Sequence, residues 1–123
     1  GMHGSTFGGN FLSTAVGLKI LDIMRDNQLC QHVSKISKIM SDYMTKKIQP
    51  LSNVQDIRIC GMMIGIELKK PCPDLGIKAL DKGLVLNVTK EKVIRLLPPL
   101  ICKEKDVLMI VDIVENLIRE NYE

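Results

Sequence analysis

Two short stretches carry residue types suited to holding anions. The first, His3 to Asn10, reads HGSTFGGN. Gly4, Gly8 and Gly9 let the backbone approach an anion closely. Ser5 and Thr6 offer hydroxyl donors, and a helix beginning after Asn10 turns its first amides toward the same loop. The Gly-Lys-Ser/Thr ending of a nucleotide-binding loop is missing. A plain glycine turn ahead of a capped helix accounts for the same letters, so both readings stand. The second stretch, Val93 to Leu100, reads VIRLLPPL. Arg95 lies between Ile94 and Leu96, and an alternating strand puts it on one face with Val93 and Leu97. An arginine there either pairs with a carboxylate of the chain, Glu67 being the nearest plausible partner, or reaches a cleft. In a cleft its planar guanidinium suits two-pronged binding of a ligand carboxylate. No Ser, His and Asp set suggests a triad, and the lysines fall on outward helical faces or in turns.

The elements that must position these residues follow from the spacing of apolar side chains. Asn10 is a good cap for a helix from Phe11. That helix is apolar over most of its circumference, so it is buried on several sides or lies against another chain. Asp26 and Asn27 break it. A second helix runs from Leu29 to Ile48, with Val33, Ile36, Met40, Tyr43 and Met44 three or four apart. The period then drops to two. NVQDIRI and MMIGIEL read as strands around Cys60-Gly61, a hairpin signal. Asp74 caps a short helix to Asp81, with Gly83 just past its end. LVLNV and VIRLL are two more strands around a polar turn, Thr89 to Lys92. A last helix runs from Glu104 to Tyr122, with Val107, Leu108, Val111, Val114, Leu117, Ile118 and Tyr122 as its buried stripe. The order α-α-β-β-α-β-β-α, with short turns between strands, predicts an α+β fold: helices on one face of a small, mainly antiparallel sheet.

The 123 residues are enough for one ordinary domain. A net charge of +3 is too mild to argue for nucleic acid. The slightly positive mean hydropathy, +0.11, hints at apolar surface meant for a partner. Cys30, Cys60, Cys72 and Cys102 show no metal or redox spacing, with only His3 and His32 to join them. They read as reduced, mostly buried thiols of a cytoplasmic protein without bound metal. No apolar run is long enough to span a membrane, and no signal peptide is visible.

Together, HGSTFGGN, GMMIGIEL, GLVLNVTKEKVIRLLPPL and the closing amphipathic helix resemble the C-terminal portion of class III aminotransferases, pyridoxal-phosphate enzymes of fold type I. Within them the pattern is most similar to members acting on acetylornithine, succinylornithine and ornithine. The resemblance implies that residues 1–10 are the end of the large cofactor-binding domain and 11–123 the small C-terminal domain. It implies that Thr6, with Ser5 beside it, reaches across a dimer interface to the cofactor phosphate. It also implies that Arg95 binds a carboxylate of the amino-acid substrate. The family's Schiff-base lysine, the acid facing the pyridine nitrogen and the ring-stacking aromatic belong to the region before this one. The chain by itself is therefore expected to be catalytically silent and to self-associate, its partners being that large domain and a second copy. Two positions depart from the pattern: Phe11 stands where proline is usual, and Ile59 where glycine is, with Arg58 and Gly61 kept. The rival reading is a stand-alone α+β binding or dimerisation module, descended from that domain and without catalysis.

Overall fold

In the computed structural model, residues 4–122 are described. His3, at the head of the glycine-rich stretch, lies outside them. The elements are α1 (Phe11–Asp26), α2 (Leu29–Lys47), β1 (Val54–Cys60), β2 (Met63–Leu68), α3 (Leu75–Asp81), β3 (Asn87–Thr89), β4 (Val93–Leu96) and α4 (Glu104–Tyr122). They come in the expected order. Two compact units divide the chain, the first ending at Gln31 and the second beginning at His32. Among the described residues no helix is long and apolar enough to cross a membrane. Nor does any group of three His, Cys, Asp or Glu side chains among them form a candidate metal site.

In the first unit, Asn10 caps α1 as its side chain type predicts. It has extended backbone angles (φ −67°, ψ 151°), and its Oδ1 accepts the Ser13 amide at 3.0 Å. Gln28, just beyond the helix, has a left-handed φ of 49°. No residue of α1 is buried, and Phe11 is 96% exposed. Leu12, Leu18 and Leu21 are exposed as well. The apolar circumference legible in the sequence is therefore not covered within the described chain.

The second unit is built on a four-stranded sheet of order β1-β2-β4-β3, every pair antiparallel. Alternation divides its residues cleanly. Ile64, Ile66, Leu68, Ile94 and Leu96 fill one face and are almost wholly buried. Against them pack Met40 and Met44 of α2, Leu75 of α3, and Val111 of α4. Helices thus cover one face of the sheet and leave the other open. Cys60 pairs with Met63 across a two-residue turn, and Gly61 in that turn has φ 58°, a conformation that favours glycine. Ile59, the departure from the family pattern, stays in the ladder opposite Ile64.

Several expectations need correction. Asp74 stands before α3 but makes no side-chain cap bond; its backbone is already helical (φ −81°, ψ −6°), which aims the carboxylate away from the first amides. Of LVLNV only Asn87 and Val88 enter a strand, because the β3–β4 pairing stops at Asn87↔Arg95 and β4 itself ends at Leu96, just before the Pro98-Pro99 pair that cannot donate to a ladder. In α4, Ile110 and Glu115 are buried, whereas Leu108 is only half-buried. Cys72 is buried and Cys102 half-buried, but Cys30 and Cys60 are exposed, so the thiols are not mostly inside. Cys60 is exposed because its parity in β1 puts it on the open face of the sheet.

Glu115 earns its burial by double pairing. Its carboxylate accepts from Lys47 Nζ at 2.9 Å and from Arg119 Nε at 3.0 Å. Beside it, the Tyr43 hydroxyl donates to Asp112 at 2.8 Å, so α2 and α4 are tied by a polar seam. The Lys47 ammonium, and after burial's opposing push Arg119, hold the Glu115 carboxyl below its usual 4.5. A depressed folded-state value contributes stability that is complete above the unfolded value and lost as pH falls through the folded one. Glu115→Gln should therefore unfold about 1 kcal/mol more easily near neutrality, its cationic partners being partly exposed and screened. The gap from wild type should shrink as the pH falls below the unfolded value and close beneath the depressed folded one. Urea unfolding of both proteins at neutral and acid pH measures this directly. A gap that persists in acid would show that the carboxylate's charge is not what stabilises the seam.

Candidate functional site

The open face of the sheet carries the side chains that alternate with the core. Register aligns them in rows. One row runs Arg58, Gly65, Arg95, Asn87 across β1, β2, β4 and β3. The next runs Asp56, Glu67, Val93, Thr89. Along the first row lies a groove of about 290 Å³ lined by Arg58, Cys60, Met63, Gly65, Val93 and Arg95 among others. Gly65 has no side chain to fill the space between the two arginines. A Cβ there would only touch Val93 at 3.7 Å, so the backbone does not require glycine; the open groove does.

The charges on this face are sorted. Arg58 Nη1 lies 2.6 Å from Asp56 and 3.0 Å from Glu67. Lys92 Nζ lies 2.9 Å from the other oxygen of Glu67. Lys92 first, and Arg58 after it, hold the Glu67 carboxyl below its usual range, while Glu67 and then Asp56 raise Arg58 above its own. Glu67 is thus fully engaged, and not with Arg95. The alternative of a Glu67–Arg95 pair is set aside by register: Gly65 stands opposite Arg95, and Glu67 stands opposite Val93. Among the described residues no carboxylate lies within ion-pairing distance of Arg95. Its one hydrogen bond there runs from Nε to Asn87 Oδ1 at 3.1 Å. An exposed guanidinium beside a groove, with its terminal nitrogens unclaimed by a carboxylate, can bind an incoming carboxylate by charge-assisted hydrogen bonds.

Ser5 and Thr6 lie in the first unit, in an exposed turn ahead of α1. The Gly8 amide donates to Ser5 O at 3.3 Å, and a Cβ on Gly8 would come within 3.3 Å of Ser5 Cβ. Gly9 has φ 77°, which disfavours any other residue. Neither hydroxyl makes a hydrogen bond to another described residue, so both are open to a ligand. Arg95 belongs to the second unit, so the predicted residues come from separate units. Asn87 was not among the residues expected at the site. Its signal was there: Asn87 and Arg95 lie symmetrically about Glu91, as the partners of a hairpin centred there must.

The sequence model for "Aminotransferase class-III" matches residues 1–118. Acetylornithine aminotransferase 1 of Bordetella parapertussis is 36% identical over 120 residues, covering 98% of this chain and 30% of that protein. Acetylornithine aminotransferase of Nitrosomonas europaea is 41% identical over 118 residues, 96% of this chain and 30% of that protein. The crystal structure of acetylornithine aminotransferase from Elizabethkingia anophelis superposes with a TM-score of 0.84 at 32% identity, over 98% of this chain and 31% of that one. The chain thus spans somewhat under a third of the length of these relatives. With the family pattern running through nearly all of it, and with the matching fold, the chain belongs to the class III aminotransferases.

Proposed function

We propose that this chain supplies the small C-terminal domain of an acetylornithine-type aminotransferase. The complete enzyme would transfer an amino group between N-acetylornithine and 2-oxoglutarate, in the cytoplasm, as a step of arginine biosynthesis. Residues 1–10 would close the cofactor-binding loop of the large domain, and 11–123 would form the small domain. The observation that carries the reading is Arg95: a guanidinium with no carboxylate partner among the described residues, beside an open groove, in the motif that matches the family. Both reaction partners bear carboxylates, which such a group would bind and orient.

Pyridoxal phosphate fits the residues present. Ser5 and Thr6 offer two exposed hydroxyls in a glycine turn without a carboxylate among residues 4–10, as a phosphate requires. When bound, the cofactor supplies an electron sink for moving a proton at the carbon that bears the amino group. This chain's share is to hold: Ser5 and Thr6 at the phosphate, across a dimer interface, and Arg95 at the substrate carboxylate. The lysine that retains the cofactor would come from the large domain.

The test is complementation. Alone, the 123-residue chain should show neither the cofactor's protein-bound absorbance nor transamination of N-acetylornithine with 2-oxoglutarate above a cofactor-only control. Fused behind the large domain of a class III relative, it should gain both. Cofactor binding without turnover of any amino-acid donor by the fusion would overturn the reading in favour of a non-catalytic module.

A further inference from the structure

The bond between Asn87 and Arg95 is more than an incidental surface contact. Arg95 lies in β4 between Gly65 of β2, which has no side chain, and Asn87 of β3, directly opposite in register. The carboxylates of the same face are occupied elsewhere: Asp56 with Arg58, and Glu67 with Arg58 and Lys92. A neutral amide is therefore the polar partner that the sheet presents to this arginine. Its orientation is settled by chemistry. A guanidinium has only donors, so the oxygen of Asn87, not its nitrogen, must face Nε.

A guanidinium offers a carboxylate two forked edges. One is formed by the two terminal nitrogens, the other by Nε and its neighbouring terminal nitrogen. Asn87 Oδ1 sits 3.1 Å from Nε and takes its hydrogen. The second edge is thereby closed and the first left open. The same bond fixes rotamers of a long side chain that has no ion pair among the described residues to hold it. It does so without adding negative charge, so it does not compete with a ligand for Arg95.

We infer that Asn87 is a positioning residue for carboxylate recognition: it clamps Arg95 through Nε and leaves the end-on edge of the guanidinium for the substrate. This rests on the reading of Arg95 as the carboxylate binder. It adds a geometry to that reading, end-on and not side-on, and a requirement that residue 87 be a neutral acceptor.

The experiment uses the fusion enzyme and, separately, the 123-residue chain. In the enzyme, Asn87→Ala should raise KM for 2-oxoglutarate about five- to tenfold with kcat within about twofold, as expected when one supporting hydrogen bond is lost but the charge remains. Asn87→Asp should be worse than Asn87→Ala, about thirtyfold in KM, because its carboxylate keeps the shape but takes the place of the ligand. A merely structural Asn87 would predict the opposite order, since aspartate is its isostere. Arg95→Lys is the reference and should raise KM at least about tenfold. In the chain, the Arg95 Nε–H nitrogen–proton signal, assigned by its loss in Arg95→Lys, should exchange with water faster in Asn87→Ala than in wild type. If Arg95→Lys leaves KM unchanged, the reading of Arg95 itself falls, and the clamp with it. If Arg95→Lys raises KM but Asn87→Ala does not, or if Asn87→Asp behaves as wild type, the clamp alone is overturned. Unchanged exchange at Nε in Asn87→Ala overturns it too. Should Asn87→Ala fail to fold, the isosteric Asn87→Asp still decides.

Discussion

With Arg95→Ala, an enzyme completed around this domain loses about a hundredfold or more in kcat/KM for 2-oxoglutarate, while its melting temperature moves by no more than a few degrees. The first half follows from the energy of charge-assisted hydrogen bonds, each roughly 1.5–3 kcal/mol. A two-pronged contact would contribute at least one such increment net, and about 2.7 kcal/mol corresponds to a hundredfold. The second half follows from what Arg95 does not do in the fold. It is exposed, and it carries no ion pair among the described residues. Exposed substitutions away from the core usually stay within about 0.5 kcal/mol. Steady-state kinetics beside thermal melting of the same preparation checks both halves. A large fall in melting temperature with unchanged kinetics would return Arg95 to a structural role. Charge reversal at a paired residue offers a contrast: Glu67 holds two cations, so its loss would disturb the groove from the side of Arg58 and Lys92 instead.

Ile66→Ala should be the most damaging truncation in the second unit. Ile66 lies in β2 and is hydrogen-bonded through its strand on both sides, facing Ile57 of β1 and Ile94 of β4. It has no exposed surface. Helices pack on it from above, so the surroundings cannot collapse into the space a removed side chain leaves. Losing three heavy atoms at such a site costs about 2–5 kcal/mol, transfer and cavity together. Whole domains of this size are stable by only about 5–15 kcal/mol. A melting point lowered by about 10 °C or more is expected. Ile66→Val should cost only about 0.5–1.5 kcal/mol. A loss under about 1 kcal/mol for alanine would mean that the sheet relaxes around the gap. Gly65 and Glu67, the neighbours of Ile66, both lie on the groove face, so core and site share one strand.

Local patterns made most of the fold readable. The period of two in MMIGIEL marks Ile64, Ile66 and Leu68 as core, and the structure buries all three. The ends of α4 at Glu104 and Tyr122, and Val107, Val111, Val114, Leu117 and Ile118 of its buried stripe, follow from spacing and from the proline pair before it. What local patterns do not carry is register. The partner of Arg95 depends on which residue of β2 stands opposite it, and a shift of two would have put Glu67 there. Exposure of Cys60 likewise depends on which face the helices cover. The turn after β3 shows a third limit. Lys90 and Glu91 both have left-handed φ, 48° and 61°, where glycine would be expected. Their conformation is imposed by the strands they join and by the Glu91 carbonyl accepting the Cys72 amide at 2.7 Å, neither of which the letters announce.

The order β1-β2-β4-β3 leaves two borders where a foreign strand could dock. Neither is inviting. β3 has only three residues, too few to template a growing ribbon. β1 is longer, but its register is interrupted between Val54 and Asp56, and the ion-paired Asp56 and Arg58 follow directly. A bulge twists a border away from flat pairing, and desolvating charges there is costly. Amyloid-like growth from the native sheet is thus blocked at both ends. Any adhesion between copies at high concentration is therefore expected to use exposed apolar side chains, of which α1 carries Phe11, Leu12, Leu18 and Leu21; mild detergent would mask them and sheet-binding dyes would not report them.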